Sequence, residues 1–202
     1  MAEQVRSGRG RPRAASRAIL EESAFELFSE RGYAGTTVDD IAQRAGVSRN
    51  TFFNYFGAKS DVFWSDIDER LALLPGLLAA TDPALPAFRA IGEALADAAA
   101  TLGPGRVPWI LTQFELIGSP QEVSASALSR FTEQAEVLRQ FAAERLGEHP
   151  GALLPRVIAY TTCGAVLAAA QAWAEAGPNR GPLTSFLVRT LAPLADGFTN
   201  AK

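Results

Sequence analysis

Gly46-Val47-Ser48-Arg49-Asn50-Thr51-Phe52-Phe53-Asn54-Tyr55-Phe56-Gly57-Ala58-Lys59 reads as a turn followed by a short helix with two unlike faces. Ser48 is placed as an N-cap, because its hydroxyl can accept a first-turn N–H that has no partner inside the helix. Val47 and Phe52 have the spacing of a hydrophobic staple. At helical periodicity Phe52 and Phe56 fall on one side, and Arg49, Asn50, Phe53 and Asn54 on the other. The pattern predicts one anchored face and one face offered to a partner.

The preceding residues complete a pair. Thr37-Val38-Asp39-Asp40 puts a capping hydroxyl three residues ahead of an acid, a shorter relative of the capping box, and Ile41, Ala42 and Ala45 supply an inward stripe. Gly46 then makes the turn. Two short helices joined through a glycine, the second with outward donors, predict a helix-turn-helix whose second helix enters the major groove of DNA. Upstream, residues 14–31 read as a supporting helix. Ile19, Leu20, Ser23, Ala24, Leu27 and Phe28 line one side, glutamates occupy the others, and Gly32 is the stop. The recognition pair is too small to bury Phe52 and Phe56 alone, so Phe28 and Ile41 are assigned to a shared core.

These residues carry a resemblance. Thr36-Thr37-Val38, Ile41-Ala42, Ala45-Gly46-Val47-Ser48, Thr51-Phe52-Phe53, Tyr55-Phe56 and Lys59, with Ala24, Glu26-Leu27-Phe28 and Glu30-Arg31-Gly32-Tyr33 before them, resemble the DNA-binding signature of the TetR family of transcriptional repressors. The specific match spans about residues 15–63. The rest matches only in length and helical pattern. The resemblance implies an all-α chain in three parts: a flexible basic arm (1–13), a three-helix DNA-binding domain with the helix-turn-helix (14–60), and a helical ligand-binding and dimerisation domain (61–202). It also implies that Thr37, Ser48, Tyr55 and Lys59 hold phosphates, which sets register without reading sequence. Thr51 belongs to the same motif. Phe53 departs from the tyrosine often found there, which leaves an apolar contact with a thymine methyl or a sugar.

The reading chemistry follows from side-chain shape. Arg49 has a planar fork suited to guanine O6 and N7, and Asn50 can pair bidentately with adenine. Asn54 lies one turn further on. The bland alternative for Arg49 and Asn50 is a solvated surface pair.

The net charge of −3 looks wrong for a DNA binder until the chain is divided. Residues 1–60 hold nine Lys/Arg against seven Asp/Glu, and residues 61–202 hold ten against fifteen. Arg6, Arg9, Arg11, Arg13 and Arg17 face only Glu3, with Gly8, Gly10 and Pro12 between them. Composition leaves two readings of this opening: a solvated tail, or an arm lying along phosphates or in the minor groove. Length and 48% hydrophobic content suit one sizeable core or two small ones. The single Cys163 cannot form an internal disulfide and no charged-then-apolar leader opens the chain, so the expected setting is cytoplasmic.

Helices are expected at residues 61–80, with Pro75-Gly76 kinking or ending the run, at 81–102, near 107–117, and from Ser119-Pro120 to Leu146. Residues 157–170, between Arg156 and Gln171, fall short of the ~20 apolar residues a bilayer needs and read as a buried helix. The segments Pro150–Ala176 and Pro182–Phe198 are expected to pack on their copies as a four-helix homodimer interface, the alternative being an intrachain core. A dimer would present two recognition helices ~34–36 Å apart to a pseudo-palindromic operator.

The aromatic residues Trp64, Trp109, Phe114, Phe131, Phe141 and Trp173 offer enough surface to line an apolar pocket, although packing alone could use them. Trp64, Trp109, Gln113, Phe114, Phe131 and Trp173 are the ligand-binding candidates. Glu115, Arg130 and Arg139 are polar fixtures or solvated faces. The Phe53-Asn54-Tyr55-Phe56 run, Asp61-Val62, Trp64, Asp66 and Asp68, and the alanine-rich helix ending near Trp173 are similar to the TetR-type regulators that accompany mycofactocin biosynthesis. That similarity implies a hydrophobic small-molecule effector of the acyl-CoA class. The lone His149 and Cys163 make no metal cluster or supported catalytic pair, and no phosphate-cradling glycine loop is present. No catalytic residues, cofactor or metal are assigned. A helical ligand-binding dimer without DNA binding is the remaining alternative, and the intact second helix disfavours it.

Overall fold

The computed structural model describes residues 13–100, 102–103, 107–112 and 120–199, which are helical with no strand among them. The helices are α1 (Arg13–Arg31), α2 (Val38–Arg44), α3 (Arg49–Phe53), α4 (Ser65–Leu71), α5 (Leu74–Ala80), α6 (Ala87–Ala100), α7 (Trp109–Thr112), α8 (Pro120–Leu146), α9 (Leu153–Glu175) and α10 (Leu183–Thr199), with a 3₁₀ segment at Lys59–Trp64 before α4. The chain forms two compact units that divide between Val62 and Phe63.

In the first unit α1 packs on α2 and α2 on α3. Leu20, Ala24, Leu27, Ile41, Ala42, Phe52 and Phe56 are buried there, so the apolar stripes converge on one small core. The Phe52 and Phe56 rings pack tilted with centroids 5.3 Å apart, and Phe28 lies 5.3 Å from Tyr33. Gly32 and Gly46 close α1 and α2 at φ +73° and +68°, a left-handed geometry that a Cβ disfavours. Between them Thr36 is buried, and its hydroxyl donates to the carbonyls of Leu27 (3.2 Å) and Gly32 (3.0 Å). Arg44 ties α2 back to α1 through Glu26 and Glu30 at 3.0 and 2.8 Å.

In the second unit α10 packs on both α6 and α9, and α5 covers α6. Leu74, Leu78, Phe88, Ile91, Leu95, Leu138, Ile158, Leu187 and Leu191 make the core. Alanines at 94, 99, 142, 159, 169 and 195 fill the places where helices approach closely.

Several boundaries differ from the expectations. The run at 61–80 is not one helix: it begins as the 3₁₀ segment at Lys59, breaks at Ala72–Leu73, and restarts as α5. Pro75 lies in the first turn of α5, where a missing N–H has no partner to lose, so it opens a helix instead of kinking one. Residues 81–86 form a turn and α6 starts at Ala87. Pro86 steers Leu85 away from helical backbone and delays the start. The helix near 107–117 is seen only as α7, and Ser119 and residues 113–118 lie outside the described residues, as do residues 1–12 of the arm.

The largest correction concerns α9. It spans 23 residues and is long and apolar enough to cross a membrane by length and composition, so the length argument excludes nothing. Nor is it buried all round. Ile158, Ala159, Thr162, Ala169 and Trp173 are buried, whereas Leu153, Val157, Tyr160 and Leu167 are exposed at successive steps of four, three and seven residues. That spacing makes one apolar stripe along the helix.

Candidate nucleic-acid interface

The recognition helix is built from its cap outward. Ser48 is in extended backbone and its Oγ accepts the N–H of Thr51 at 3.1 Å. The two hydroxyls of Ser48 and Thr51 lie 2.8 Å apart in a mutual hydrogen bond. At the start of α2, Thr37 and Asp40 form a complete capping box. The Asp40 N–H donates to Thr37 Oγ1 (3.1 Å), and Thr37 donates to Asp40 Oδ2 from its N–H (2.9 Å) and its hydroxyl (2.6 Å). That hydroxyl bond, followed by the backbone one, holds the Asp40 carboxyl below the ordinary carboxylate range.

α3 presents two environments. Phe52 and Phe56 are buried, while Arg49, Asn50, Phe53 and Asn54 are exposed. Phe53 is 44% exposed and meets the Phe52 ring edge-on at 5.5 Å. Asn54 caps the C-terminal end of α3 through its backbone, which frees its side chain from the helix. Tyr55 is half-buried. Arg49 does not stand alone: its Nη1 donates to Asp39 Oδ2 at 2.5 Å, and its guanidinium lies 5.4 Å from the centre of the Phe53 ring. The pairing of Asp39 with Arg49 is not legible in the sequence, because the two sit ten residues apart on different helices.

Lys59 is placed differently from the other motif residues. Its half-buried ammonium donates to the carbonyls of Tyr33 (2.7 Å) and Thr36 (2.8 Å) and lies 3.8 Å from the Tyr33 ring centre. The charge expected on phosphate is bound to the turn between α1 and α2.

The ligand candidates do not gather at one point. Trp64 is half-buried, and the Arg130 guanidinium lies 4.9 Å from its ring centre. Phe131 of α8 stacks on Tyr160 of α9 at 6.0 Å. Trp173 lies thirteen residues further along α9, about 20 Å at 1.5 Å per residue. It is wholly buried, with its indole N–H on the Gly181 carbonyl at 2.8 Å. Trp173 is therefore a core residue distant from the Phe131–Tyr160 pair, not part of one compact aromatic site. Trp109 is half-buried in α7, and Gln113, Phe114 and Glu115 lie outside the described residues. Arg139 pairs with Glu136 on its own helix.

His149 and Cys163, to which no catalytic role is assigned, have structural surroundings. His149 Nδ1 accepts the N–H of Gly151 at 2.9 Å and so closes a turn. Burial pushes the Cys163 thiol up to about 11, which keeps it protonated and weakly nucleophilic at neutral pH.

Comparison with known proteins agrees with this geometry. Residues 20–64 match the family model of the bacterial regulatory proteins of the tetR family, and residues 85–199 match the MftR C-terminal domain. A Mycobacterium tuberculosis protein named as the mycofactocin biosynthesis transcriptional regulator MftR is 30% identical over 164 residues, covering 81% of this chain and 82% of its own length. Among solved structures, NalD of Pseudomonas aeruginosa, the secondary repressor of the MexAB-OprM multidrug efflux pump, is similar with a TM-score of 0.58 and 22% identity, over 91% of this chain and 95% of NalD. FadR of Thermus thermophilus, a TetR-family transcriptional repressor solved with lauroyl-CoA, gives a TM-score of 0.52 and 22% identity, over 92% of this chain and 96% of that one. The two structures share the fold. With a helix-turn-helix match at one end and an MftR-type domain over more than half of its length, the chain belongs to the TetR family of transcriptional regulators, which are not enzymes, and within it to the group carrying the MftR C-terminal domain.

Proposed function

We propose that the chain is a ligand-released repressor that binds a pseudo-palindromic operator as a homodimer, with α3 reading base edges. The observation that carries this reading is the division of α3, in which two buried phenylalanines anchor a helix whose Arg49, Asn50, Phe53 and Asn54 face solvent. Arg49 and Asn50 are assigned to guanine and adenine. Thr37, Ser48, Thr51 and Tyr55 are assigned to phosphates, which position the helix without carrying sequence information. Lys59 is assigned to the fold of the reading unit, because its ammonium is already held by two carbonyls.

Dimerisation is assigned to α9 and α10, whose exposed apolar residues include Leu153, Val157, Tyr160, Leu167 and Val188. An exposed stripe of this length is costly in water and is covered when a second copy packs on it. A twofold axis would place the second α3 about one helical turn away along DNA, so half-sites should recur at ~34–36 Å.

The effector is assigned to the acyl-CoA class. Support comes from the fold similarity to a repressor solved with lauroyl-CoA and from the apolar, alanine-rich helices of the second unit. Release requires that the ligand bind the DNA-incompetent geometry more tightly, since equal affinity for both geometries shifts nothing.

The test is selection from random duplexes by the purified protein, followed by titration of the recovered site with lauroyl-CoA and, separately, with free CoA. Enrichment of a two-half-site motif and its release by lauroyl-CoA alone is the expected result. Uniform binding to all duplexes would remove the operator reading. A recovered motif that lauroyl-CoA leaves bound would remove only the effector.

A further inference from the structure

We propose that Asp39 is a positioning residue for sequence reading: it aims the Arg49 fork at a single guanine and holds it away from phosphate. This rests on the reading of α3 as the helix that meets base edges. Asp39 lies in the first turn of α2 and Arg49 in the first turn of α3, so the pair crosses the helix-turn-helix corner. Both side chains are more than half exposed, at 63% and 56%. An exposed pair of this kind contributes little to folding. Its significance lies in geometry.

Two contacts and its place in the chain fix the guanidinium. Nη1 donates to Asp39 Oδ2, the Phe53 ring lies beside the planar carbon at 5.4 Å, and the side chain is rooted one residue after the Ser48 cap. The carboxylate takes one corner of the fork. The Nε and Nη2 donors form the opposite edge, and their parallel N–H bonds match the O6 and N7 acceptors of guanine. An unrestrained arginine at the start of a recognition helix samples many rotamers and has phosphate oxygens as competing acceptors. Tethering it to a carboxylate removes part of that freedom before DNA arrives, so less entropy is lost on docking. The same negative charge disfavours phosphate close to Asp39, which leaves the base edge as the preferred destination. Phe53, the position at which this sequence departs from tyrosine, supplies the apolar flank of the unit. A phenolic hydroxyl there would compete for the fork.

Asp39 thus has an effect that a phosphate-binding or purely structural residue does not have. Removing its charge should weaken discrimination without weakening DNA binding, because one repulsive charge leaves the protein–phosphate surface. The experiment is parallel selection from random duplexes by the full-length wild type, Asp39→Asn, Arg49→Ala and the double variant, with thermal unfolding of each. Asp39→Ser replaces Asp39→Asn if the latter does not fold. Wild type should enrich a G·C pair at one position of each half-site. Asp39→Asn should lower that preference about tenfold, the scale of one bidentate base contact, with non-specific affinity equal or higher and other positions unchanged. Arg49→Ala should flatten the same position, and adding Asp39→Asn to it should change nothing more. A base profile unchanged in Asp39→Asn, or a further loss in the double variant, overturns the positioning role. A wild type that selects no motif instead overturns the reading of α3 on which the role depends.

Discussion

Arg130 of α8 meets Asp68 of α4 fork to fork, with Nε and Nη2 donating to the two carboxylate oxygens at 2.7 Å each. The arginine also donates to Ser126 Oγ at 2.6 Å, and it is only 16% exposed. A bidentate pair that is this sheltered contributes more than an open surface pair and less than a fully buried one. Arg130→Ala should therefore destabilise the second unit by about 1–3 kcal/mol, read from urea unfolding. Arg130→Lys should recover little of this, since an ammonium cannot reproduce two parallel bonds. A lysine variant as stable as the wild type would show that charge alone matters and that the fork geometry is idle.

Lys59 gives a second prediction, because its two possible jobs have different signatures. As a clamp on the Tyr33 and Thr36 carbonyls it holds the turn that joins α1 to α2. Lys59→Met should then lower the stability of the first unit by about 1.5–3 kcal/mol, the range for hydrogen bonds to a charged group. DNA affinity should fall only as far as that unit unfolds. If instead the unfolding curve is unchanged and the salt dependence of DNA binding loses about one counterion, the ammonium works on phosphate and the clamp is incidental.

Part of the acid sensitivity should come from the first unit, alongside Glu136 of α8, whose carboxyl is lowered by its bonds to Arg139 and Gln140. The Thr37 bonds lower the Asp40 carboxyl, and the Arg44 bond lowers that of Glu30. A carboxylate whose folded value lies below its unfolded one adds stability above the unfolded value, and that stability is lost as pH falls through the folded one. The relevant window thus starts near the ordinary values of 3.8 and 4.5 and extends downward. Thr37→Ala should cost about 1 kcal/mol near neutrality through loss of the cap and should flatten the acid limb. Thermal midpoints followed from neutrality into that window check both effects, and an acid limb of undiminished steepness would assign it to other carboxylates.

The first unit was legible because its determinants are local. Ser48, Thr37, Gly46 and the Phe52–Phe56 spacing act within four residues of their partners, and each is found in the role its position predicts. The contacts that were not legible are those made across distance. Nothing near Asp68 announces Arg130, and nothing near Arg145 announces its bonds to Thr81, Asp82 and Leu85 at 2.7–3.2 Å. Asp39 and Arg49 fall in the same class. The aromatic residues show the same limit: composition counts rings but cannot place Trp173 at the far end of α9 from Phe131. In α9 the apolar run 157–170 reads as a buried helix, whereas in the single chain one of its apolar faces is exposed.

That exposed face supplies the last prediction. Leu167 and Val188 are 51% and 58% exposed on α9 and α10. Replacing either with glutamate removes no packed core side chain, so the protomer should keep its fold to within about 0.5 kcal/mol. If the stripe is the homodimer surface, a glutamate placed on it must be buried against the partner copy, where like charges meet in a desolvated interface. The double variant Leu167→Glu, Val188→Glu should then run as a monomer in sedimentation while its far-ultraviolet helix signal stays at the wild-type level. Its operator affinity should collapse toward that of a single half-site, because two linked reading heads bind far more tightly than one. A helical, dimeric double variant would mean that the copies meet elsewhere, and the stripe on α9 would need another partner.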